Sequence, residues 1–373
     1  MCGISGFYDE SIKNNDANRL MNQMLESISH RGPDNRSIHS EGALTLGHNR
    51  LTIIDLSDTA NQPMIKGNLK IVFNGEIYNY LEIRKELVGK GYQFVTNGDT
   101  EVILNSYLAW GTKCVTRFVG MWAFAIWDSN DNSLFCSRDR FGIKPFLYIC
   151  ESNKFYFASE YKPLKYSPLY SNDLNLNQIK RGLQLGWVVY QDETYFSKIK
   201  ALPESSNLIF KNGKITIEKY WQPDLMLKSD LTFEEKREKF SSMFSESIDL
   251  HMRSDVEVGA CLSGGLDSSS ITSLVGKKFP DVNFKTFTIF YQEENAVDER
   301  PWVNSVIEKY PQISNYTYSP VNDDLRECFH KMCFHLDAPT NWSSDISQYY
   351  VMQLAAKHKM KVLLDGQGSD EYL

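Results

Sequence analysis

The pattern of apolar residues changes near residues 221–232, and this change constrains the fold more than any other feature of the sequence. Before it, short runs rich in β-branched and aromatic residues end at Gly, Asn or Asp, as strands joined by tight turns do. After it, strand-like and helix-like segments alternate. Because a chain of 373 residues is long enough for two or three domains, the sequence predicts two domains of different fold class.

The first half predicts a layered α+β domain. Strands are predicted at 44–51, 69–73, 121–128, 133–138 and 154–158, and helices at 17–29, 80–90 and 100–110. The Asn-Asp-Asn sequence at 130–132 predicts a hairpin turn between two of these strands. Trp122, Phe124 and Ile126 alternate along one strand and are therefore predicted to face a core. Many strands with segregated helices are typical of a layered domain.

The second half predicts an α/β domain built on a doubly wound parallel sheet. Residues 221–231 are polar and are predicted to form a linker. Thr232 and Glu235 have the spacing of a capping box, which predicts the start of a helix. Strands are then predicted at 256–262, 284–290 and 362–364, and helices at 268–277, 299–310 and 345–359. Such alternation implies parallel strands with helices on both faces of the sheet.

The composition argues against several classes of protein. The net charge of −7 and the lack of a basic run predict no nucleic-acid partner. No apolar stretch approaches the roughly 20 residues of a membrane-spanning helix, so no membrane association is predicted. The seven cysteines are scattered and lack a Cys-x-x-Cys pair. This argues against a disulfide framework or structural zinc and favours a cytoplasmic location.

Cys2 is the cysteine whose position suggests chemistry. Removal of Met1 would leave a thiol and a free α-amine on one residue. A thiol titrates near ~8.5 and an α-amine near ~7.7–8.0, so the amine can take the thiol proton near neutral pH. Asn74 and Gly75, predicted at the end of a strand, could donate to the oxyanion that forms when a thiolate attacks an amide. The competing interpretation of this Asn-Gly pair is a type I′ hairpin turn.

Two charged residues would suit a free amino acid as the ligand of such a site. Arg50 can bind a carboxylate through two N–H groups, and Asp99 can pair with an ammonium group. Taken alone, either residue is more often an ordinary surface charge.

A loop rich in glycine and serine, 262–269, lies between a predicted strand and a predicted helix. Its backbone N–H groups can meet phosphate oxygens, and the helix N-terminus adds positive potential. The Gly-Lys-Ser/Thr ending of a Walker A loop is missing, and the acidic Asp267 suggests a site that holds departing pyrophosphate with magnesium. A second loop, 365–371, leaves the same edge of a parallel sheet, so Asp267 and Asp370 could share one Mg²⁺. The competing interpretation of the loop at 262–269 is a strand-to-helix turn that binds no ligand.

Motifs in both halves resemble the glutamine-hydrolysing asparagine synthetase family, and the resemblance covers the whole chain. In the first half the matching motifs are MCGI at 1–4, HRGPD at 30–34, FNGEIYN at 73–79, RDRFGIKP at 138–145 and ASE at 158–160. In the second half they are SGGLDSS at 263–269 and DGQGSDE at 365–371. They occur in the order that the family shows.

The resemblance implies a class II glutamine amidotransferase domain at 2–220 with the N-terminal-nucleophile αββα sandwich. After the linker it implies an ATP-pyrophosphatase domain, HUP-like and incomplete, at 232–373. Such an enzyme is a carbon–nitrogen ligase with glutamine as amido donor. Glutamine is hydrolysed, and ammonia passes inside the protein to a β-aspartyl-AMP made from aspartate and Mg-ATP. The products are asparagine, glutamate, AMP and pyrophosphate. The resemblance also allows a homodimer.

The resemblance assigns roles to individual residues. Cys2 is the nucleophile, with Asn74 and Gly75 as the oxyanion hole. Glutamine is bound by Arg50, Leu51, Ile53, Asn74, Gly75, Glu76 and Asp99. ATP is bound by Cys261, Leu262, Ser263, Gly264, Gly265, Leu266, Asp267, Ser268, Ile289, Asp365 and Gly366, and the Mg²⁺ ligands are Asp267 and Asp370.

Two departures from the family pattern bear on the synthetase half. At the position of Gln367, many members have an acidic residue that is assigned a proton-transfer role in forming the intermediate. Other members carry Gly-Gln-Gly there, as this chain does. Gln367 cannot accept a proton at neutral pH. The family also continues beyond Leu373 with residues that hold aspartate and pyrophosphate. We therefore expect this sequence to be a fragment or a natural truncation.

Three alternatives to asparagine synthesis stay open at this level. One is a relative that amidates another carboxylate, such as a sugar acid of a surface polysaccharide. Another is a homologue that performs no chemistry and uses the scaffold for binding or regulation; intact Cys2, Asn74 and Asp99 argue against it. The third is a glutaminase that acts alone.

Overall fold

The strands of the N-terminal half pair antiparallel into two six-stranded sheets. The structure, a computed structural model, describes residues 1–225, 229–291, 298–320, 324–339 and 343–369. It divides into two units, Met1–Leu227 and Lys228–Leu373. No helix in these described ranges is both long enough and apolar enough to cross a membrane.

The sheets of the first unit are formed from strands that are far apart in sequence. The strands are β1 (Gly3–Tyr8), β2 (Asn35–Glu41), β3 (Leu44–Arg50), β4 (Met64–Lys66), β5 (Leu69–Ile77), β6 (Gly120–Asp128), β7 (Ser133–Arg138), β8 (Leu147–Glu151), β9 (Lys154–Ala158), β10 (Lys200–Ala201), β11 (Ser206–Lys211) and β12 (Lys214–Lys219). Their order is β10-β8-β9-β1-β3-β2 in one sheet and β12-β11-β7-β6-β5-β4 in the other. The N-terminal strand is therefore central in its sheet.

Helices cover the outer face of each sheet. They are α1 (Asn14–Glu26), α2 (Tyr80–Gly89), α3 (Asp99–Trp110), α4 (Tyr161–Leu164) and α5 (Leu176–Leu185), with short 3₁₀ turns at Ser29–Arg31, Asp58–Ala60 and Gly111–Arg117. Apolar residues of α1 and α4 pack against one sheet, and those of α2 and α3 against the other. A third cluster, drawn from both sheets, fills the space between them. The unit is thus the predicted αββα sandwich.

Strand β6 shows how alternate side chains of one strand contribute to two different layers. Trp122, Phe124 and Ile126 face the core under α2 and α3. Ala123 and Ala125 point the other way, into the core between the sheets. Alternate side chains of a strand point to opposite faces, and both faces are buried here. The predicted core-facing strand and the turn that leads to β7 are confirmed, with Asp128 opposite Ser133 in the ladder.

Strand β5 differs from its prediction. It runs on to Ile77, and Asn74 and Gly75 pair with Ala123 and Trp122 of β6. The predicted strand end and the hairpin turn are therefore both wrong. A Cβ at Gly75 would lie 2.1 Å from the carbonyl O of Met121, so the close approach of β6 explains why a glycine occupies this strand.

The second unit contains a four-stranded parallel sheet. Its strands are β13 (Val258–Cys261), β14 (Phe284–Ile289), β15 (Ile313–Tyr318) and β16 (Val362–Leu364), in the order β15-β14-β13-β16. Its helices are α6 (Phe233–His251), α7 (Leu266–Lys278), α8 (Arg300–Lys309), α9 (Asp324–Leu336) and α10 (Ser343–Lys357). Residues of α6 and α7 pack on one face of the sheet and residues of α10 on the other, which confirms the α/β class.

The start of α6 follows from local sequence. Thr232 Oγ1 accepts a hydrogen bond from the backbone N–H of Glu235 at 3.3 Å, and Glu235 Oε2 accepts one from the N–H of Thr232 at 2.8 Å. These reciprocal bonds form the predicted capping box. β15 and α9 were not predicted from the sequence.

Candidate active site

The thiol of Cys2 lies against the backbone at the end of β3. Sγ accepts a hydrogen bond from the N–H of Leu51 at 3.3 Å and lies 3.6 Å from the carbonyl O of the same residue. Burial raises the pKa of the thiol, whereas the hydrogen bond from Leu51 lowers it. A backbone N–H aimed at sulfur favours the thiolate, which is the nucleophilic form.

An ion-pair network fixes the backbone of Cys2. Arg31 Nε donates to the carbonyl O of Cys2 at 2.9 Å, and Arg31 NH1 donates to Glu160 Oε1 at 2.8 Å. His30 and Lys162 also contact the Glu160 carboxylate, at 3.0 and 2.7 Å. Burial alone would raise the pKa of Glu160, but hydrogen bonds and charge from His30, Arg31 and Lys162 lower it to about 2. Glu160 is therefore ionised at any ordinary pH.

Strand β5 carries two candidate oxyanion donors, the side chain of Asn74 and the backbone N–H of Gly75. Asn74 is only 1% exposed, and its Nδ2 has no hydrogen-bond partner in the described part of the chain. The N–H groups of Phe73 and Ile77 are taken by Gln62 Oε1 and Asp99 Oδ2, so they point away from β6. Because N–H direction alternates along an antiparallel strand, the N–H of Gly75 faces the same edge. Leaving a buried donor unpaired costs about 1–3 kcal/mol, so a ligand that accepts from Asn74 would bind here favourably.

Two buried carboxylates lie close to this edge. Glu76 follows Gly75 on β5, and Asp99 begins α3. Burial, and then the charge of Asp99, raises the pKa of Glu76 to about 7. Burial raises the pKa of Asp99 to about 6 against the hydrogen bonds from backbone N–H groups. A positively charged ligand beside these two buried carboxylates would favour their ionised forms.

The N-terminal amine interacts electrostatically with Glu76. The pKa of the Met1 α-amine is lowered to about 5 by burial and is also affected by the charges of Cys2, Arg31, Lys144 and Glu76. The beginning of β1 and the end of β5 thus share one electrostatic environment. Cys2, Leu51 and Glu76 thus lie in one part of the unit, and their binding of glutamine stays a prediction.

Arg50 is engaged differently from its prediction as a carboxylate ligand. Its NH1 donates to the carbonyl O of Ser57 at 2.8 Å and to Asn61 Oδ1 at 2.7 Å, and its NH2 donates to the carbonyl O of Asp55. The guanidinium therefore holds the segment after β3, on which Ile53 also lies. A direct bond from Arg50 to a substrate carboxylate stays a prediction.

In the second unit, a loop joins β13 to α7. Gly264 has φ +93°, in the region that favours glycine. Ser263 N–H donates to Ser268 Oγ at 3.2 Å, and Gly265 N–H donates to Ser263 Oγ at 3.2 Å. The N-terminus of α7 carries no side-chain cap, so its backbone donors stay available to an anion. Phosphate binding at this loop stays a prediction.

A second loop packs against the first. β16 pairs in parallel with β13, so residues 365–369 leave the same edge of the sheet. A Cβ at Gly366 would lie 2.8 Å from the Cβ of Asp267 and 3.1 Å from the N of Ser268. Asp365 Oδ2 accepts from Gln348 Nε2 at 2.6 Å, and Asp365 Oδ1 accepts from the N–H of Gln367 at 3.2 Å. Gln367 thus contributes its backbone to the loop.

The neighbouring strand ends complete this edge. Leu262 N–H donates to the carbonyl O of Phe287 at 3.0 Å, and Thr288 Oγ1 donates to the carbonyl O of Leu262 at 2.6 Å. Cys261 and Ile289, predicted to lie beside the nucleotide, belong to one apolar cluster with residues of α10. An apolar surface next to a phosphate loop suits a nucleotide base.

The predicted Mg²⁺ site is described only in part. Asp370 lies outside the described residues, and no group of three His, Cys, Asp or Glu side chains suited to a metal occurs within them. Asp267 lies within the 262–269 loop, in the first turn of α7. Mg²⁺ commonly takes one or two carboxylates together with phosphate oxygens, so Asp267 fits a metal carried in with a nucleotide.

Sequence reasoning gave no role to several residues of the first unit. Arg31 and Glu160 lie inside matched motifs but are 129 positions apart, and spacing alone does not reveal their ion pair. Gln62 and His48 bind Phe73, next to the predicted oxyanion donors. Arg31 and Glu160 could have been singled out because both lie in motifs that match the family. The contacts of the second pair depend on how the strands come together.

Comparisons with known proteins cover both units. Residues 1–221 match the family described as glutamine amidotransferase domain, and residues 239–373 match asparagine synthase. The putative glutamine-hydrolysing asparagine synthetase 2 of Methanocaldococcus jannaschii is 35% identical over 398 aligned positions, covering 100% of this chain and 75% of that protein. The glutamine-hydrolysing asparagine synthetase 1 of Bacillus subtilis is 34% identical, covering 100% of this chain.

The chain spans only 58% of the length of that Bacillus protein. A solved structure of glutamine phosphoribosylpyrophosphate amidotransferase from Bacillus subtilis aligns with 99% of this chain and 91% of its own, at 13% identity and a TM-score of 0.46. The sequence matches extend over both units, and one relative aligns with the whole of this chain at 35% identity. The chain therefore belongs to the glutamine-hydrolysing asparagine synthetase family.

Proposed function

We propose that the first unit hydrolyses glutamine at Cys2 and that the chain uses the ammonia for ATP-dependent synthesis of asparagine from aspartate. The observation that carries the first step is the buried Asn74 Nδ2, which has no partner among the described residues. A buried amide donor without a protein partner can donate to an oxyanion, and hydrogen bonds to charged acceptors are the stronger ones.

In this reaction the Cys2 sulfur attacks the carboxamide carbon of glutamine. The carbonyl oxygen becomes an oxyanion that accepts hydrogen bonds from Asn74 Nδ2 and the N–H of Gly75. The thiol proton passes through the α-amine of Cys2, once Met1 is removed, to the leaving nitrogen. The C–N bond breaks to release ammonia, and water then cleaves the thioester to give glutamate and the free thiol.

The carboxylates beside β5 would select the substrate. Asp99 and Glu76 are buried, and their raised pKa values indicate negative charge that is poorly compensated. The α-ammonium of glutamine would supply the missing positive charge. The segment held by Arg50, with Leu51 and Ile53, would then contact the rest of the amino acid.

The second unit would bind ATP with its phosphates on the Ser263–Ser268 loop. Asp267, with Asp370, would hold the Mg²⁺ that accompanies the phosphates and that neutralises charge as pyrophosphate leaves. The aspartate side-chain carboxylate attacks the α-phosphorus and displaces pyrophosphate, forming β-aspartyl-AMP. Ammonia then displaces AMP and gives asparagine. Gln367 would take part in forming this intermediate through its amide, since it cannot accept a proton.

Isotope transfer tests the proposal. The chain is incubated with glutamine labelled with ¹⁵N in the amide, together with aspartate and Mg-ATP. We expect ¹⁵N in asparagine, with AMP and pyrophosphate as the nucleotide products. Release of labelled ammonia without asparagine would restrict the function to glutaminase or to another acceptor, and ADP as product would reject the adenylating step.

A further inference from the structure

Strand β5 is held in an unusual way just before its two oxyanion donors. On the outer edge of β5, strand β4 pairs only with Leu69–Ile71. Two residues farther on, side chains replace the ladder: Gln62 Oε1 accepts from the N–H of Phe73 at 2.7 Å, and His48 Nε2 bonds the carbonyl O of Phe73 at 3.1 Å. Both backbone polar groups of Phe73 are thus bound by side chains.

These bonds fix the direction of the donors that follow. Phe73 immediately precedes Asn74 and Gly75. On the far side of the pair, the N–H of Ile77 is bound by Asp99 Oδ2 at 3.0 Å. The N–H of Gly75 lies between these two anchored positions on the same edge. A shift of β5 at Phe73 would therefore move both oxyanion donors.

The chemistry of His48 allows one arrangement only. A carbonyl oxygen can only accept, so Nε2 carries the proton and donates to Phe73. The residue is 0% exposed, and Nδ1 has no partner in the described ranges. Burial lowers the pKa of His48 to about 3, so the ring is neutral at ordinary pH. A buried neutral histidine on β3 thus makes a single bond, directed at β5.

Gln62 links Phe73 of β5 to the N-terminal end of α3. Its Oε1 is committed to Phe73, which leaves its Nε2 to donate to Thr100 Oγ1 at 3.2 Å. Thr100 follows Asp99 at the start of α3. Gln62 therefore joins the backbone of β5 to the helix end that carries the proposed ammonium ligand.

We propose that His48 and Gln62 are positioning residues that fix β5 at Phe73, so that Asn74 Nδ2 and the N–H of Gly75 meet the oxyanion of the glutaminase reaction. The inference rests on the proposed glutamine hydrolysis. Oxyanion donors act because they are held in place before the charge develops. Among the described residues no strand pairs with β5 on this edge beyond Ile71, and two side chains bind its backbone instead.

The variants are His48→Phe, which removes the donor, and His48→Gln, whose amide can donate from a similar position. Gln62→Met removes the acceptor for the Phe73 N–H and keeps the side-chain length. The matched control is Tyr156→Phe, which removes a buried bond of 2.6 Å to Asp9 Oδ2 elsewhere in the same unit. For each we would measure kcat and KM for glutamate release, the rate of Cys2 alkylation by iodoacetamide, and Tm.

We expect His48→Phe and Gln62→Met to lower kcat roughly 10- to 100-fold, less than the 10²–10³-fold typical for loss of an oxyanion donor. The alkylation rate should stay near the wild-type value in both variants, since neither residue contacts the thiol. KM should stay near the wild-type value in His48→Phe, since His48 bonds only to the backbone of β5 among the described residues. His48→Gln should recover most of kcat, and Tyr156→Phe should keep it.

Normal kcat in a folded His48→Phe or Gln62→Met variant would overturn the proposal. So would a parallel loss of kcat and alkylation, or no recovery in His48→Gln, because each indicates general disruption. If His48→Phe does not fold, Gln62→Met and His48→Gln decide the matter. A wild-type chain that releases no glutamate would instead reject the proposed glutaminase itself, and the positioning role with it.

Discussion

Arg31 and Cys2 are joined by a hydrogen bond of 2.9 Å from the guanidinium Nε to the backbone carbonyl O. The other side of the guanidinium is bound to Glu160, which also binds Lys162 at 2.7 Å. The proposed nucleophile is thus oriented through its backbone, and its thiol accepts a hydrogen bond from the N–H of Leu51.

Substitution of Arg31 by Met should therefore impair glutamine hydrolysis. The bond to Cys2 O would be lost and Glu160 would lose a partner, so we expect kcat for glutamate release to fall about 10-fold or more, since small misplacements of reacting groups are costly. Steady-state kinetics would measure it. The matched control is Arg36→Met on β2, which removes an ion pair of 2.6 Å to Glu26 at the end of α1. Equal activity of the two variants would contradict the orienting role.

Asp99→Asn should weaken glutamine binding. It removes the charge opposite the proposed ammonium but keeps an oxygen that can accept from Ile77. Charge-assisted hydrogen bonds contribute about 1.5–3 kcal/mol, so affinity should fall roughly 10- to 100-fold. Calorimetry on a Cys2→Ala background at pH 8, above the Asp99 pKa of about 6, avoids turnover. Asp131→Asn, at an exposed ion pair with Lys211, is the control. Unchanged affinity would give Asp99 a structural role only.

The pKa of Glu76 predicts a pH dependence of stability. Burial raises this pKa from 4.5 to about 7, so the folded chain binds more protons than the unfolded chain between these values. The free energy of unfolding should accordingly fall as pH rises from about 4.5 to 7, with a contribution from Glu76 on the order of 3 kcal/mol.

Glu76→Gln should flatten this fall, because the amide does not titrate. Denaturant unfolding of the ligand-free chain between pH 5 and 8 would show it. Glu218→Gln, at an exposed position on β12, should keep the wild-type slope. Parallel curves for wild type and Glu76→Gln would contradict the raised pKa.

The contact between the two loops of the second unit predicts the effect of Gly366→Ala. A methyl group there would lie 2.8 Å from the Cβ of Asp267, so the loops must separate. Magnesium-dependent ATP binding, followed by calorimetry, should be strongly weakened, as it should be in Asp267→Ala. Gly89→Ala, whose added Cβ meets no atom within 4 Å, is the control. Normal ATP affinity in Gly366→Ala would remove the loop contact from the proposed site.

Features set by neighbouring residues could be predicted from the sequence. The capping box of Thr232 and the glycine loop between β13 and α7 depend on residues within one turn or one loop. The place of Gly75 inside β5 could not, because it depends on β6, some 45 residues farther along the chain. For the same reason the hydrogen-bond partners of Arg31 and His48 could not be predicted from the sequence, because they are far away along the chain.

The role of Cys2 is tested most directly by glutamate release from the wild type, Cys2→Ala and Cys2→Ser. We expect wild-type hydrolysis to disappear in Cys2→Ala, because alanine has no thiol that could attack the carboxamide of glutamine. Synthesis that uses added ammonia should survive, since the ATP loops lie in the other unit. Cys2→Ser keeps a hydroxyl but should be nearly inactive, since an alcohol is a much weaker nucleophile than a thiolate. Glutamate release that persists at the wild-type rate in Cys2→Ala would contradict the proposed function.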